Sequence, residues 1–119
     1  MDLEHVVRQV KEGRLLAVTF LSERGREENE IPDHPCADAR AEGERFAFFH
    51  AFAPCAHAVE VDRVEEVGDE VFLHGRTGDA RLRVRVSPVW LAEQREVLAA
   101  WAREKDAALV GRELGRVLA

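Results

Sequence analysis

His34-Pro35-Cys36 and Cys55-Ala56-His57 are the stretches of this chain whose residue types and spacing could do chemistry. The sequence holds two cysteines, and each has a histidine two positions away on its outer side. Two imidazoles and two thiolates make up a full tetrahedral zinc set. Residues two apart on a strand project from one face, so each pair can offer two ligands together. The candidate ligands are therefore Cys36, Cys55 and His57, with His34 or His50 as the fourth. The spacing departs from the Cys-x2-Cys knuckle of common zinc modules. Two other readings compete with it. A cysteine is often a small buried hydrophobe, and Cys36 with Cys55 could form a disulfide or redox pair, a rare state in a mesophile's cytosol. Inert thiols with no cofactor are the expectation, and zinc is the alternative.

A second chemical feature is "ARLRVRVS" over residues 80–87. Alternation puts Arg81, Arg83 and Arg85 on one strand face and Leu82, Val84 and Val86 on the other. Three guanidinium forks in a row could hold phosphate or another anion. The same stripe could equally be the solvent face of a half-buried strand, paired across to carboxylates such as Glu66 or Glu70. Signatures of catalysis are missing from the sequence: there is no phosphate loop, no Gly-x-Ser-x-Gly, no His-Glu-x-x-His and no EF-hand pattern. A Cys55–His57 nucleophile would need a third orienting group and an oxyanion site. An enzyme whose residues gather from distant positions, for instance His50, His57 and a carboxylate, is the remaining catalytic reading.

The elements that must position these residues follow from periodicity. Leu3, Val6, Val7 and Val10 form an apolar stripe over residues 2–12, with Asp2 as N-cap and Gly13 as the stop. "RLLAVTFLS" (14–22) reads as a strand, and "REENEI" (26–31) as a polar strand broken by Pro32. Residues 33–44 lack periodicity and read as the one long loop. "RFAFFHAF" (45–52) is apolar on both faces, with Phe46, Phe48, His50 and Phe52 sharing one of them, as in a central or barrel-lining strand. Residues 57–67 alternate and then lose strict period, as a bulged strand would. "GDEVFLHGRTGDARLRVRV" predicts two strands joined by a glycine-containing turn. Ser87-Pro88 predicts a helix start, with Trp90, Leu91, Gln94, Val97, Leu98 and Trp101 on its buried face. Helical pattern resumes over 107–118.

These elements predict one α+β domain over residues 1–119: an N-terminal helix (2–12), a small, strongly bent antiparallel sheet or barrel of SH3 or Sm type with five or six strands (about 14–87), and a C-terminal helical region (88–118) packed on it. At 119 residues, with 46% apolar and 34% charged positions, such a chain can bury a core without staples. No run approaches a membrane span. The charges among residues 1–15 do not suit a signal peptide, so a cytoplasmic location is expected. The formal charge of −6 argues against general nucleic-acid binding. Richness in Arg and Glu gives a thermophile-like composition.

"RFAFFHAF" followed by "HAVEVDRVEEV" resembles the WYL-type domain, the Sm-like barrel of many bacterial transcriptional regulators. Val18–Ser22, Pro32 or Pro35, Phe46–Phe52 and Val59–Val64 fall in that family's order, and Asp62-Arg63-Val64 is similar to the end of its last motif. The likeness covers about residues 14–75. Phenylalanines stand in place of the Trp-Tyr-Leu signature, and His57 stands at the motif's upstream arginine. The resemblance implies a small barrel and a ligand-sensing surface, carried over to Arg63. The expected function is thus a non-catalytic regulatory or adaptor module. Its barrel surface, around Arg63 or the Arg81/Arg83/Arg85 stripe, would recognise an anionic small molecule or a protein partner. Aromatic helix faces left uncovered would make it a homodimer.

Overall fold

The computed structural model describes residues 2–15, 17–22, 34–50, 55–88 and 92–119, with 20–22, 34, 35, 92 and 102 described by backbone alone. The chain begins with α1 (Leu3–Lys11), whose start is fixed by the Asp2 carboxylate accepting from the His5 amide at 2.8 Å. Gly13, at φ +78°, lets the chain leave the helix. Val6, Val7 and Val10, the centre of the apolar stripe, are buried.

Six strands follow: β1 (Ala17–Ser22), β2 (His34–Glu42), β3 (Arg45–His50), β4 (Ala56–Val67), β5 (Glu70–Thr77) and β6 (Ala80–Ser87). Each pairs antiparallel with its sequence neighbour. Strand β1 also pairs with β6, from Ala17↔Ser87 to Ser22↔Leu82, which curls the sheet into a barrel. The two-residue loops joining β2–β3, β4–β5 and β5–β6 each begin with a glycine at φ near +60°. That backbone matches the twist of tight hairpins.

Side-chain alternation then sorts the apolar residues into two clusters. Phe46, Phe48, Val59, Leu73, Val84 and Val86 face the interior, where Val6, Val7 and Val10 of α1 join them. Ala47, Phe49 and Ala56 face outward and pack on Val110, Leu114 and Leu118 of the last helix, α3 (Ala107–Leu118). The alanines leave room for that helix to approach. Arg45 clamps its end, its fork donating to the Val117 and Leu118 carbonyls at 3.1 Å each. These carbonyls have no partner within the helix, so the cation supplies both a hydrogen bond and a charge complementary to the helix dipole.

Two expectations change, and a third, the helix start at Ser87-Pro88, falls at residues 89–91, outside the described ones. Residues 34–42 form a strand within the stretch expected to be loop. The alternation is there, Ala37, Ala39 and Ala41 against Asp38, Arg40 and Glu42. Alanine is a weak strand signal, however, and a register shift between Cys36 and Asp38 interrupts the pattern. Ser87 ends β6, buried and paired with Ala17, and the described part of the next helix is α2 (Ala92–Glu104). The face expected to be buried on α2 is largely open: Gln94 is exposed, Val97 is 50% exposed, and Leu98 and Trp101 are half-buried. Trp90 and Leu91, Phe52, and the strand expected over 26–31 with Pro32 lie outside the described residues. The bulge expected in residues 57–67 is present, as a register shift between Val61 and Arg63.

Candidate metal centre

Alternation along β3 sends Phe46, Phe48 and His50 to the same side. His50 is the last residue of the strand, so its imidazole lies at one end of the barrel and is buried. Strand β4 starts beside it. Phe48 pairs with His57 and Phe49 with Ala56, and the His50 amide donates to the Cys55 carbonyl at 3.1 Å. This register brings three potential ligands together. The ligand atoms of His50, Cys55 and His57 all lie within 4.8 Å of one another, and this is the one such cluster of three among the described residues. Cys55 Sγ is 3.7 Å from His57 Nε2. The two imidazoles meet edge to face, with centroids 4.8 Å apart. Phe48 supports both, 5.2 Å from the His50 ring and 5.8 Å from that of His57.

A tetrahedral ion with Zn–S near 2.3 Å and Zn–N near 2.0–2.1 Å would hold its ligands roughly 3.3–3.6 Å apart. The Cys55–His57 spacing is close to that, and side-chain rotation of about 1 Å would bring in the remainder. The donor set, one thiolate and two imidazoles, suits borderline and soft cations such as zinc and copper rather than magnesium or calcium. Three protein ligands leave the fourth position of a tetrahedron to an exogenous group.

Of the ligands read from the sequence, Cys55 and His57 come together, and His50 joins them from the adjacent strand. Cys36 does not belong to the cluster. It is the Cα partner of His50 on the other side, so the two cysteines flank His50 from β2 and from the start of β4. Two strand spacings amount to about 9–10 Å between Cα atoms, too far for a disulfide, and both thiols are free. Cys36 packs within the interior cluster, and its thiol donates to the Asp38 carbonyl at 3.4 Å. Burial, with the Asp38 charge beside it, pushes this thiol up to about 12. It stays a thiol in the metal-free chain, and its sulfur lies outside the three-residue cluster. The backbone of His34 pairs with Val18, and its side chain lies outside the described residues. The signal that could have selected His50 was the alternation of "FAFFH", which already put it on the Phe48 face.

The arginines lie on the outer face of β4, β5 and β6, among carboxylates. Arg81 is paired with Asp62 at 2.6 Å, and Arg76 donates to Glu60 at 2.8 Å. The guanidinium of Arg83 lies over the Phe72 ring at 5.0 Å, and Arg85 reaches Thr19 Oγ1 at 3.5 Å. Arg63 lies 3.2 Å from His74 Nε2, which is 3.0 Å from Glu65. One ring nitrogen cannot serve both neighbours as the same partner. The bond that holds the Glu65 carboxyl below the usual range is the one donated by His74, with Arg63 and Arg83 adding positive charge nearby. Within the stripe, Arg81 is thus paired with a carboxylate, while Arg83 and Arg85 rest on an aromatic ring and a hydroxyl.

No protein-family model, curated protein or solved structure matches this chain. The His50/Cys55/His57 cluster therefore has to be interpreted from its own chemistry.

Proposed function

We propose that this protein is a small metal-binding barrel that takes up one zinc-class transition-metal ion at the barrel end through His50, Cys55 and His57. The observation that carries this reading is the convergence of the three ligand atoms within 4.8 Å. Surface histidines meet by chance, but these three have structural support. His50 is buried beside Phe48, His57 is held by pairing with Phe48, and Cys55 is tied to His50 through the backbone. Support of this kind limits the rearrangement needed on binding. The role is that of a binding module whose ligand surface is organised by the metal. An anion site built on Arg63, Arg81, Arg83 and Arg85 ranks below it, because Asp62 and Glu65 already answer part of that charge.

Titration of the purified, metal-stripped chain with zinc against a competing chromophoric chelator tests this reading. One ion per chain should bind. Cys55→Ser and His57→Ala should each lower affinity by 100-fold or more, while Cys36→Ala should leave stoichiometry and affinity unchanged. Binding that Cys55→Ser leaves intact would sink the proposal.

A further inference from the structure

Strand β4 changes partner at Glu60, which pairs with Arg45 of β3 and Arg76 of β5. Its register with β5 begins at Glu60↔Arg76, whereas Ala56, His57, Ala58 and Val59 pair with β3 alone. The β5–β6 turn stands off from this segment, and α3 passes behind it. The result is an open groove of about 640 Å³. Cys55 and His57 form part of its wall, Ala58, Ala80 and Leu82 give it small apolar surfaces, and Thr77 and Arg116 add polar groups. The Arg116 Nε donates to Glu113 at 2.6 Å, which steadies its guanidinium at the groove.

Two of the three proposed ligands are thus also walls of a groove large enough for a small organic molecule. A divalent ion with one thiolate and two neutral imidazoles carries a net charge of about +1, and its fourth position is left to an exogenous donor. Arg116 is charge-paired with Glu113 and adds guanidinium N–H donors at the groove rather than net charge. The alanine and leucine walls favour a short aliphatic body over a sugar or a nucleotide.

We infer that the groove takes a small aliphatic anion, a carboxylate of the short-chain fatty-acid class, whose head group completes the coordination of the ion held by His50, Cys55 and His57. The inference rests on the metal reading proposed above. It makes the metal the head-group sensor and the groove the measure of chain length. No covalent step is involved: the carboxylate replaces bound water as the fourth ligand.

Cobalt(II) loaded into the full-length chain separates the two claims, because a cobalt–thiolate charge-transfer band reports metal binding and the d–d bands report the fourth ligand. Loading should produce the charge-transfer band. Hexanoate should then shift the d–d bands saturably, and hexylamine, cationic at neutral pH, should not. Thr77→Trp, which fills the groove from a solvent-exposed position, should weaken hexanoate at least tenfold with the charge-transfer band retained. Arg116→Gln should weaken it several-fold in the same way. A charge-transfer band with d–d bands indifferent to hexanoate would overturn the inference and leave the metal reading standing. Equal response to hexylamine, or undiminished affinity in Thr77→Trp, would overturn it as well. Absence of the charge-transfer band would remove both.

Discussion

At Cys36 the interior of the barrel withholds the water that a thiolate needs, and the neighbouring Asp38 charge opposes a second negative charge. The two effects push the thiol from an ordinary 9.0 to about 12, so the folded chain holds this proton where the unfolded chain releases it. Folding stability therefore has its full contribution from Cys36 below about pH 9 and loses it as pH rises toward 12. Cys36→Ala removes the proton and costs some packing, so its stability should be lower near neutrality and decline less steeply above pH 9. Urea midpoints of both chains between pH 7 and pH 11 would measure this, and the absence of tyrosine removes one competing alkaline titration. Parallel curves would show that the thiol is not desolvated. Cys55, half-buried beside His57, is the cysteine placed for ligand chemistry. The symmetry of "HPC" and "CAH" suggested equal roles. The environment of each sulfur makes them different.

Among the elements, the long strand β4 bends where its register shifts at Val61, and β5 crosses it there at Gly75. A Cβ at Gly75 would overlap the Glu60 carbonyl oxygen, so glycine is required for close backbone approach rather than for its dihedral freedom. Gly75→Ala should therefore destabilise the fold by about 1–3 kcal/mol or more, the range for overpacking a tight interior. Gly115→Ala offers the contrast. In α3, its Cβ would meet only the end of the Arg40 side chain from β2, 3.9 Å away, and alanine is the better helix former by about 1 kcal/mol. Chemical denaturation of both variants would check the pair, and an unchanged midpoint for Gly75→Ala would contradict the account. The elements themselves were largely legible in sequence. The stripe of α1, the two-faced β3, the bulge in β4 and the β5–β6 turn all follow from period and turn residues. Strand β2 was hidden because its outward and inward positions are charges and alanines, which carry little β signal. The His50/Cys55/His57 cluster was half legible. Cys55-x-His57 is local and visible, whereas the choice of His50 over Cys36 depends on which strands become neighbours. Spacing along the chain does not encode that.

For the molecule as a whole, a closed sheet with Val6, Val7 and Val10 of α1 added to its interior cluster and α3 against its outer face leaves two distinct chemical regions. The outer face of β4–β6 interleaves arginines with Asp62, Glu60 and Glu65, so a chain with a formal charge of −6 presents paired charge there. The barrel end gathers a thiol and two imidazoles that come from separate strands and meet only when the sheet has formed. A metal bound there belongs to the folded state alone, so binding and folding are linked. X-ray absorption at the zinc edge of the loaded protein tests the central claim most directly. The account predicts one sulfur scatterer near 2.3 Å and two imidazole nitrogens near 2.0–2.1 Å, with a lighter fourth ligand from outside the chain. Two sulfurs, which would bring Cys36 into the site, or none, which would remove Cys55 from it, would contradict it.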